Sequence, residues 1–175
     1  MSFQPRIIQY AWVVPNLEAA ARRWHEAAGV GPFLVNRDLQ LTGPRYRGRP
    51  HATRFSTAVA QHGDVQIELV EQLDDGPSAY RDTVDAGATG FHHIAFLAED
   101  FDAALAHYTD RGHAVAADGA FGTMRYAYVD AVATLSHMIE IIEDTPAIRA
   151  FFAAIRKAGE RWDRDPATLL RELGG

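Results

Sequence analysis

Four residues of this chain have the types and the placement to bind a cation and move a proton: Gln9, Glu68, His93 and Glu140. Glu68 sits between Ile67 and Leu69 in "QIELVE" (66–71), and Glu140 between Ile139 and Ile141 in "MIEIIE" (138–143). An ionised carboxylate at the centre of an otherwise apolar strand is costly to bury unless it is paired or metal-bound. Together the four offer three oxygen donors and one imidazole nitrogen. That mixed set suits Zn, Ni, Co, Mn or Fe(II), and the donor types do not choose among these.

The elements that must position the four come from an internal repeat. "QYAWVVPNLEAA" (9–20) lies over "HIAFLAEDFDAA" (93–104) at a constant offset of 84, which pairs Gln9 with His93 and Asn16 with Asp100. "QIELVE" lies over "MIEIIE" at an offset of 72, which pairs Glu68 with Glu140, so the halves differ by an indel of 12 residues. Each copy starts with a short strand of β-branched and aromatic residues. Asn16 or Asp100 follows as a helix N-cap, then an alanine-rich helix that ends near Gly29 or Gly112. Two such repeats paired about a pseudo-twofold axis bring the four equivalent positions onto one concave surface.

Strand parity then sorts the histidine pair. Alternate residues of a strand share a face, so His93, Ala95 and Leu97 group together as Gln9, Ala11 and Val13 do. His92 is expected to face the other way, and Glu71 and Glu143, at strand ends, to lie at the surface.

Each half reads β-α-β-β-β: a first module over 1–73, a turn-rich linker over 74–89 and a second module over 90–145. The second half's break is expected near 130–133, and the extra first-half length lies in a Gly/Pro/Arg-rich loop over 36–51. From Pro146 the spacing turns helical, giving a C-terminal helical extension over 146–175 in which Pro166 starts a last short helix.

Composition narrows the classes of partner. Seventeen Lys+Arg against 23 Asp+Glu give a net charge of -6 with no basic stripe, which argues against nucleic acid and anionic membranes and for a small molecule. The absence of cysteine excludes disulfides, thiolate metal sites and cysteine nucleophiles. No basic start with a long apolar core opens the sequence, and no apolar run nears the ~20 residues that span a bilayer, so a cytoplasmic protein is expected.

The repeat, "HHIAF" and the paired "IEL" and "IEI" strands resemble the vicinal-oxygen-chelate superfamily of glyoxalase I, methylmalonyl-CoA epimerase, extradiol dioxygenases and bleomycin-resistance proteins. The resemblance spans roughly residues 6–144. It implies an α+β fold in which two βαβββ modules form a curved, mixed half-barrel sheet around a concave site, followed by the C-terminal helix. It places metal ligands on the first and last strands of each module, hence at Gln9, Glu68, His93 and Glu140, and a divalent metal as cofactor. A Gln/Glu/His/Glu set is similar to the glyoxalase I type. The two-histidine, one-carboxylate set of the dioxygenases is not met, since only one mapped position is His.

The implied activity is that of a metal-dependent lyase, isomerase or epimerase. Glu140 or Glu68 takes a proton next to a carbonyl, and the cation offsets charge on the resulting enolate or enediolate. Val13 stands where human-type glyoxalase I carries an arginine, which separates this chain from a glutathione substrate. The rival class is a metal-free binding protein of the antibiotic-sequestering kind. The resemblance also implies a homodimer, with modules paired within one chain or swapped between two. For substrate binding, Arg54 and His51 are the expected contacts in the arginine-bearing stretch that also holds Arg45, Arg47 and Arg49. Tyr126 and Tyr128, of equal strand parity, are expected to line a pocket.

Overall fold

The computed structural model describes residues 4–173; residues 1–3 of the expected first module and 174–175 of the expected tail lie outside the described residues. The first repeat forms β1 (Ile7–Val13), α1 (Leu17–Ala28), β2 (Phe33–Asn36), a hairpin of β3 (Thr42–Tyr46) and β4 (Arg49–Pro50), then β5 (Phe55–His62) and β6 (Val65–Gln72). The second forms β7 (Gly90–Ala98), α2 (Phe101–Thr109), β8 (Val115–Phe121), β9 (Met124–Val129), a short α3 (Val132–Leu135) and β10 (Met138–Glu143). A tail of α4 (Pro146–Glu160), a 3-10 turn (Pro166–Thr168) and β11 (Leu170–Glu172) follows.

Both N-caps form as expected: the Asn16 side chain accepts from the Ala19 N–H at 2.8 Å, and the Asp100 side chain from Ala103 at 2.9 Å. Gly29 closes α1 in the left-handed conformation at φ 66°. Glu71 is bound rather than merely solvated, accepting from the Leu17 N–H at the start of α1, while its repeat partner Glu143 grips Arg125.

All strands join one mixed sheet in the order β11-β2-β5-β6-β1-β7-β10-β9-β8-β3-β4. The two repeats meet at its centre, where β1 and β7 run antiparallel, and each is flanked by the parallel last strand of its own repeat, β6 or β10. The four candidate residues therefore stand on four adjacent strands. Helices α1 and α2 cover the convex side: Leu17, Ala20 and Ala21 join one apolar cluster with Phe33 and Leu69, and Phe101 and Ala104 join another with Phe96 and Ile141.

Two expectations change. The stretch over 36–51 is not a free loop; its hairpin crosses to the other repeat and pairs with β8, Arg45 opposite Asp118 and Tyr46 opposite Ala117. This is where the extra residues of the first half go. The tail over 146–175 is not helical throughout, because after Pro166 it turns and adds β11 parallel to the β2 edge, Arg171 opposite Leu34. An apolar reading in helical register could not reveal a three-residue edge strand whose pairing partner lies more than a hundred residues away.

The tail is seated firmly. Ile155 is fully buried against Leu34 and Val59, the Trp162 indole N–H donates to Thr168 Oγ1 at 2.9 Å, and Arg37 bridges Glu172 to Glu18. Gly31, at φ 151°, lets the Trp162 ring approach so closely that a Cβ would stand 2.6 Å from it. Gly31→Ala should therefore cost about 1–3 kcal/mol and lower the melting temperature by roughly 4–10 °C in a thermal unfolding scan, with the loss arising at the tail. An unchanged melting temperature would contradict this packing.

Candidate metal centre

The concave face of the sheet encloses a cavity of about 520 Å³. Gln9, Glu68 and Glu140 line it from the three strands β1, β6 and β10, and His93 stands behind them on β7, fully buried. His93 Nε2 lies 3.1 Å from Glu140 Oε2 and 3.4 Å from Glu68 Oε2. One donor atom from each of the three lies within 4.8 Å of the others. Neither carboxylate contact has hydrogen-bond geometry, so Nε2 is a buried ring nitrogen without a hydrogen-bond partner. Gln9 is 3% exposed, and its amide N–H donates to Gln66 at 3.2 Å, which leaves its carbonyl oxygen as the free donor of that side chain.

The other ring nitrogen of His93 explains the orientation. His93 Nδ1 lies 2.8 Å from His92 Nδ1, and His92 Nε2 lies 2.9 Å from the Ala79 carbonyl oxygen. A carbonyl only accepts, so His92 Nε2 carries the proton. Burial holds the His92 pKa well below the ordinary 6.5, so its Nδ1 is bare and accepts from His93 Nδ1–H. The chain Ala79 O, His92, His93 thus fixes the tautomer of His93 and turns its Nε2 lone pair toward two carboxylates.

His92 therefore does not face away, as strict alternation predicts. In the β1–β7 ladder Ala11 pairs with His93 and the next residue, Trp12, with Phe91, so His92 is an extra residue in a β-bulge. The bulge breaks the parity and puts both rings inside, each against Tyr128. A matching irregularity leaves Ile8 over on β1. Ile8 and His92 are equivalent at the repeat offset of 84, so the distortion belongs to the repeat itself.

Electrostatics follow from this packing. Burial raises the proton affinity of Glu68, the nearby His93 lowers it and Glu140 raises it again; the net shift is upward. Burial alone would lower His93, but the facing carboxylates, Glu140 foremost, outweigh it and lift its pKa to about 9. Burial also keeps the Tyr80, Tyr126 and Tyr128 phenols protonated far above their ordinary range. A neutral His93 would aim a lone pair at two anions, which is unfavourable without a positive charge between them.

That positive charge is either a proton or a metal ion, and the spacing admits both. Donors held about 2.0–2.2 Å from a common cation stand roughly 2.8–3.6 Å apart in octahedral or tetrahedral arrangements, which includes the 3.1 and 3.4 Å His93 distances.

The expected substrate contacts divide. Tyr126 and Tyr128 do line the cavity. Arg54 does not: it is 60% exposed in its side chain and pairs with Asp38 at 2.9 Å. His51 does not line the cavity but lines an adjoining crevice of about 20 Å³ beside Tyr46, which shares Tyr80, Tyr126 and Tyr128 with the cavity. Arg45 is held by Asp118, and Arg47 by Asp82 and Asp130, so these guanidinium groups tie the hairpin down. Tyr80, from the linker, and Phe151 and Phe152, from α4, also line the cavity, although no spacing in their segments signals it.

A family model described as the Glyoxalase/Bleomycin resistance protein/Dioxygenase superfamily matches residues 8–128. The chain belongs to this superfamily. Among solved structures, a selenomethionine methylmalonyl-CoA epimerase aligns at 19% identity and TM-score 0.56, over 83% of this chain and 99% of that one. The methylmalonyl-CoA epimerase from Mycobacterium tuberculosis aligns at 17% and 0.52, over 86% and 97%. A hypothetical protein from Bacillus halodurans C-125 aligns at 15% and 0.58, over 82% and 96%. At these identities the likeness is one of fold. No curated protein matches the sequence. No helix among the described residues is long and apolar enough to cross a membrane.

Histidine titration by nitrogen NMR tests the relay on metal-free protein. His93 should titrate near pH 9 while His92 stays neutral with its proton on Nε2. A His93 midpoint below 6.5, or a charged His92 at pH 6, would contradict the arrangement.

Proposed function

We propose that the chain is a metal-dependent isomerase or epimerase, of the lyase-like glyoxalase type, that moves a proton on a carbon next to a carbonyl. The observation that carries this reading is the buried, unpartnered Nε2 of His93 facing the carboxylates of Glu68 and Glu140. In it, His93 Nε2, a Glu140 oxygen, a Glu68 oxygen and the Gln9 carbonyl oxygen would hold one divalent ion, with Zn, Ni, Co, Mn and Fe all admitted by the donor set. A cation there supplies a Lewis acid that stabilises negative charge developing on a substrate oxygen.

The protein's own groups do the rest. Glu68 is assigned as the base, since burial raises its proton affinity, and Glu68 Oε2 takes the proton and returns it to the same or a neighbouring carbon. Return by Glu68 to the neighbouring carbon gives isomerisation, whereas epimerisation takes a proton delivered to the opposite face of the same carbon by a second acid, the role this reading gives to Glu140. The phenols of Tyr80, Tyr126 and Tyr128, kept neutral by burial, orient substrate oxygens and exclude water. Acyl-CoA epimerisation, the activity in the neighbours' names, is a proton transfer of this class. One chain carries the whole donor set, so the proposed centre is complete without a swapped module. The homodimer remains part of the proposal, read by sedimentation.

Elemental analysis of untagged protein should find about one divalent ion per chain, lost in His93→Ala and Glu140→Gln. Glu68→Gln, assayed at saturating metal because Glu68 is also a proposed ligand, should slow proton exchange of α-hydroxy ketones or acyl thioesters in deuterated water by roughly 10²–10⁴-fold. No metal in the wild type with an apolar ligand bound would favour the metal-free binding protein instead.

Metal affinity should also depend on pH with a definite sign. The ion needs neutral His93, whose pKa is about 9 in the metal-free state, so affinity climbs about tenfold per pH unit from 7 toward 9 and then levels off. A flat Zn titration over that range would contradict a role for His93 as ligand.

A further inference from the structure

We infer that the substrate is an uncharged, largely apolar carbonyl compound, and that the C-terminal tail is the wall that selects it. The inference rests on the proposed proton-transfer reading, and it concerns what fills the cavity beyond the donor cluster.

The first support is charge. Among the described residues, Glu68 and Glu140 are the only charged side chains that line the cavity. With one divalent ion the two carboxylates sum to zero, and without an ion the centre is at zero or below whether or not His93 carries a proton, so in neither state does it hold net positive charge to attract an anionic head group. In the neighbouring stretch Arg45 pairs with Asp118, Arg47 with Asp82 and Asp130, and Arg54 with Asp38, and none of these three nor Arg49 lines the cavity. A carboxylate or phosphate entering this cavity would lose its hydration and find no guanidinium or ammonium.

The second support is the wall. Ile148, Phe151 and Phe152 of α4 and Leu173 beyond β11 line the cavity, opposite strand residues such as Val59 and Ile142. These wall residues follow β10, the last strand of the second repeat, so they are not part of the repeated modules. They are held by independent packing, with Ile155 buried on Leu34 and Val59, and Trp162 on Gly31. A rigid apolar wall facing a polar cluster without net positive charge suits a ligand with a carbonyl oxygen at one end and an aryl or alkyl body. A volume of about 520 Å³ is ample for such a molecule.

The test uses metal-free protein and the neutral fluorescent probe Nile red, displaced by benzoin, by the phenylglyoxylate anion or by butyryl-CoA. The expected result is one saturable Nile red site, emptied by benzoin and not by either anion at tenfold higher concentration. Phe151→Ser and Ala147→Trp should each weaken probe binding by roughly tenfold or more. Ala147 is an exposed residue at the cavity's edge, so its replacement leaves the fold intact even if Phe151→Ser unfolds the tail. Absence of a saturable site, displacement by an anion at or below the benzoin concentration, or wild-type binding in Ala147→Trp would overturn the inference. Because the readout needs neither metal nor turnover, it reports the cavity's selectivity separately from the proton-transfer reading: loss of the probe site overturns this inference alone, whereas absence of metal or of proton exchange overturns that reading and with it the claim that the bound compound is a substrate.

Discussion

Two buried carboxylates that face one buried imidazole cannot be stable without a positive charge among them. Glu68, Glu140 and His93 impose that constraint on everything around them. His92 and the Ala79 carbonyl hold His93 in the one tautomer that turns Nε2 inward, and the bulge at His92 makes room for both rings on one side of β7. Even the turn-rich linker serves it, by supplying Ala79 and Tyr80 to the back of the site. In metal-free protein a proton on His93 meets the constraint, which is why its pKa rises to about 9.

The sheet supplies the geometry through its pseudo-twofold symmetry. Pairing β1 with β7 and flanking each with its repeat's last strand brings one residue from each of four strands to one place. Symmetry fixes the donors, and the departures from symmetry shape what they meet. Leu39 and Leu41, just before the hairpin that pairs with the second repeat, wall one side, while α4 and Leu173 beyond β11 wall another, so the concave face becomes a deep, partly open cavity. The proposed chemistry thus belongs to the repeat, and the proposed selectivity to the additions.

Much of this was legible in the sequence because it repeats. The N-caps at Asn16 and Asp100, the two βαβββ orders and the convergence of Glu68, His93 and Glu140 all follow from two offsets and the strand period. What escaped depended on pairings that carry no local signal. His92 was misplaced because a single bulged residue reverses parity, and the bulge is visible only in the ladder with β1. Arg45, Arg47 and Arg54 looked free because their acidic partners are distant in sequence or belong to turns. Tyr80, Phe151 and Phe152 reach the cavity through tertiary packing that their own segments do not announce.

The most direct measurement is anomalous diffraction at the zinc edge from crystals of the purified protein equilibrated with Zn. A single peak about 2.0–2.2 Å from His93 Nε2 and from one oxygen each of Glu68 and Glu140, with the Gln9 oxygen beside it, is the predicted result. An empty cluster at saturating Zn, with His93 still paired as an imidazolium with the two carboxylates, would contradict the account.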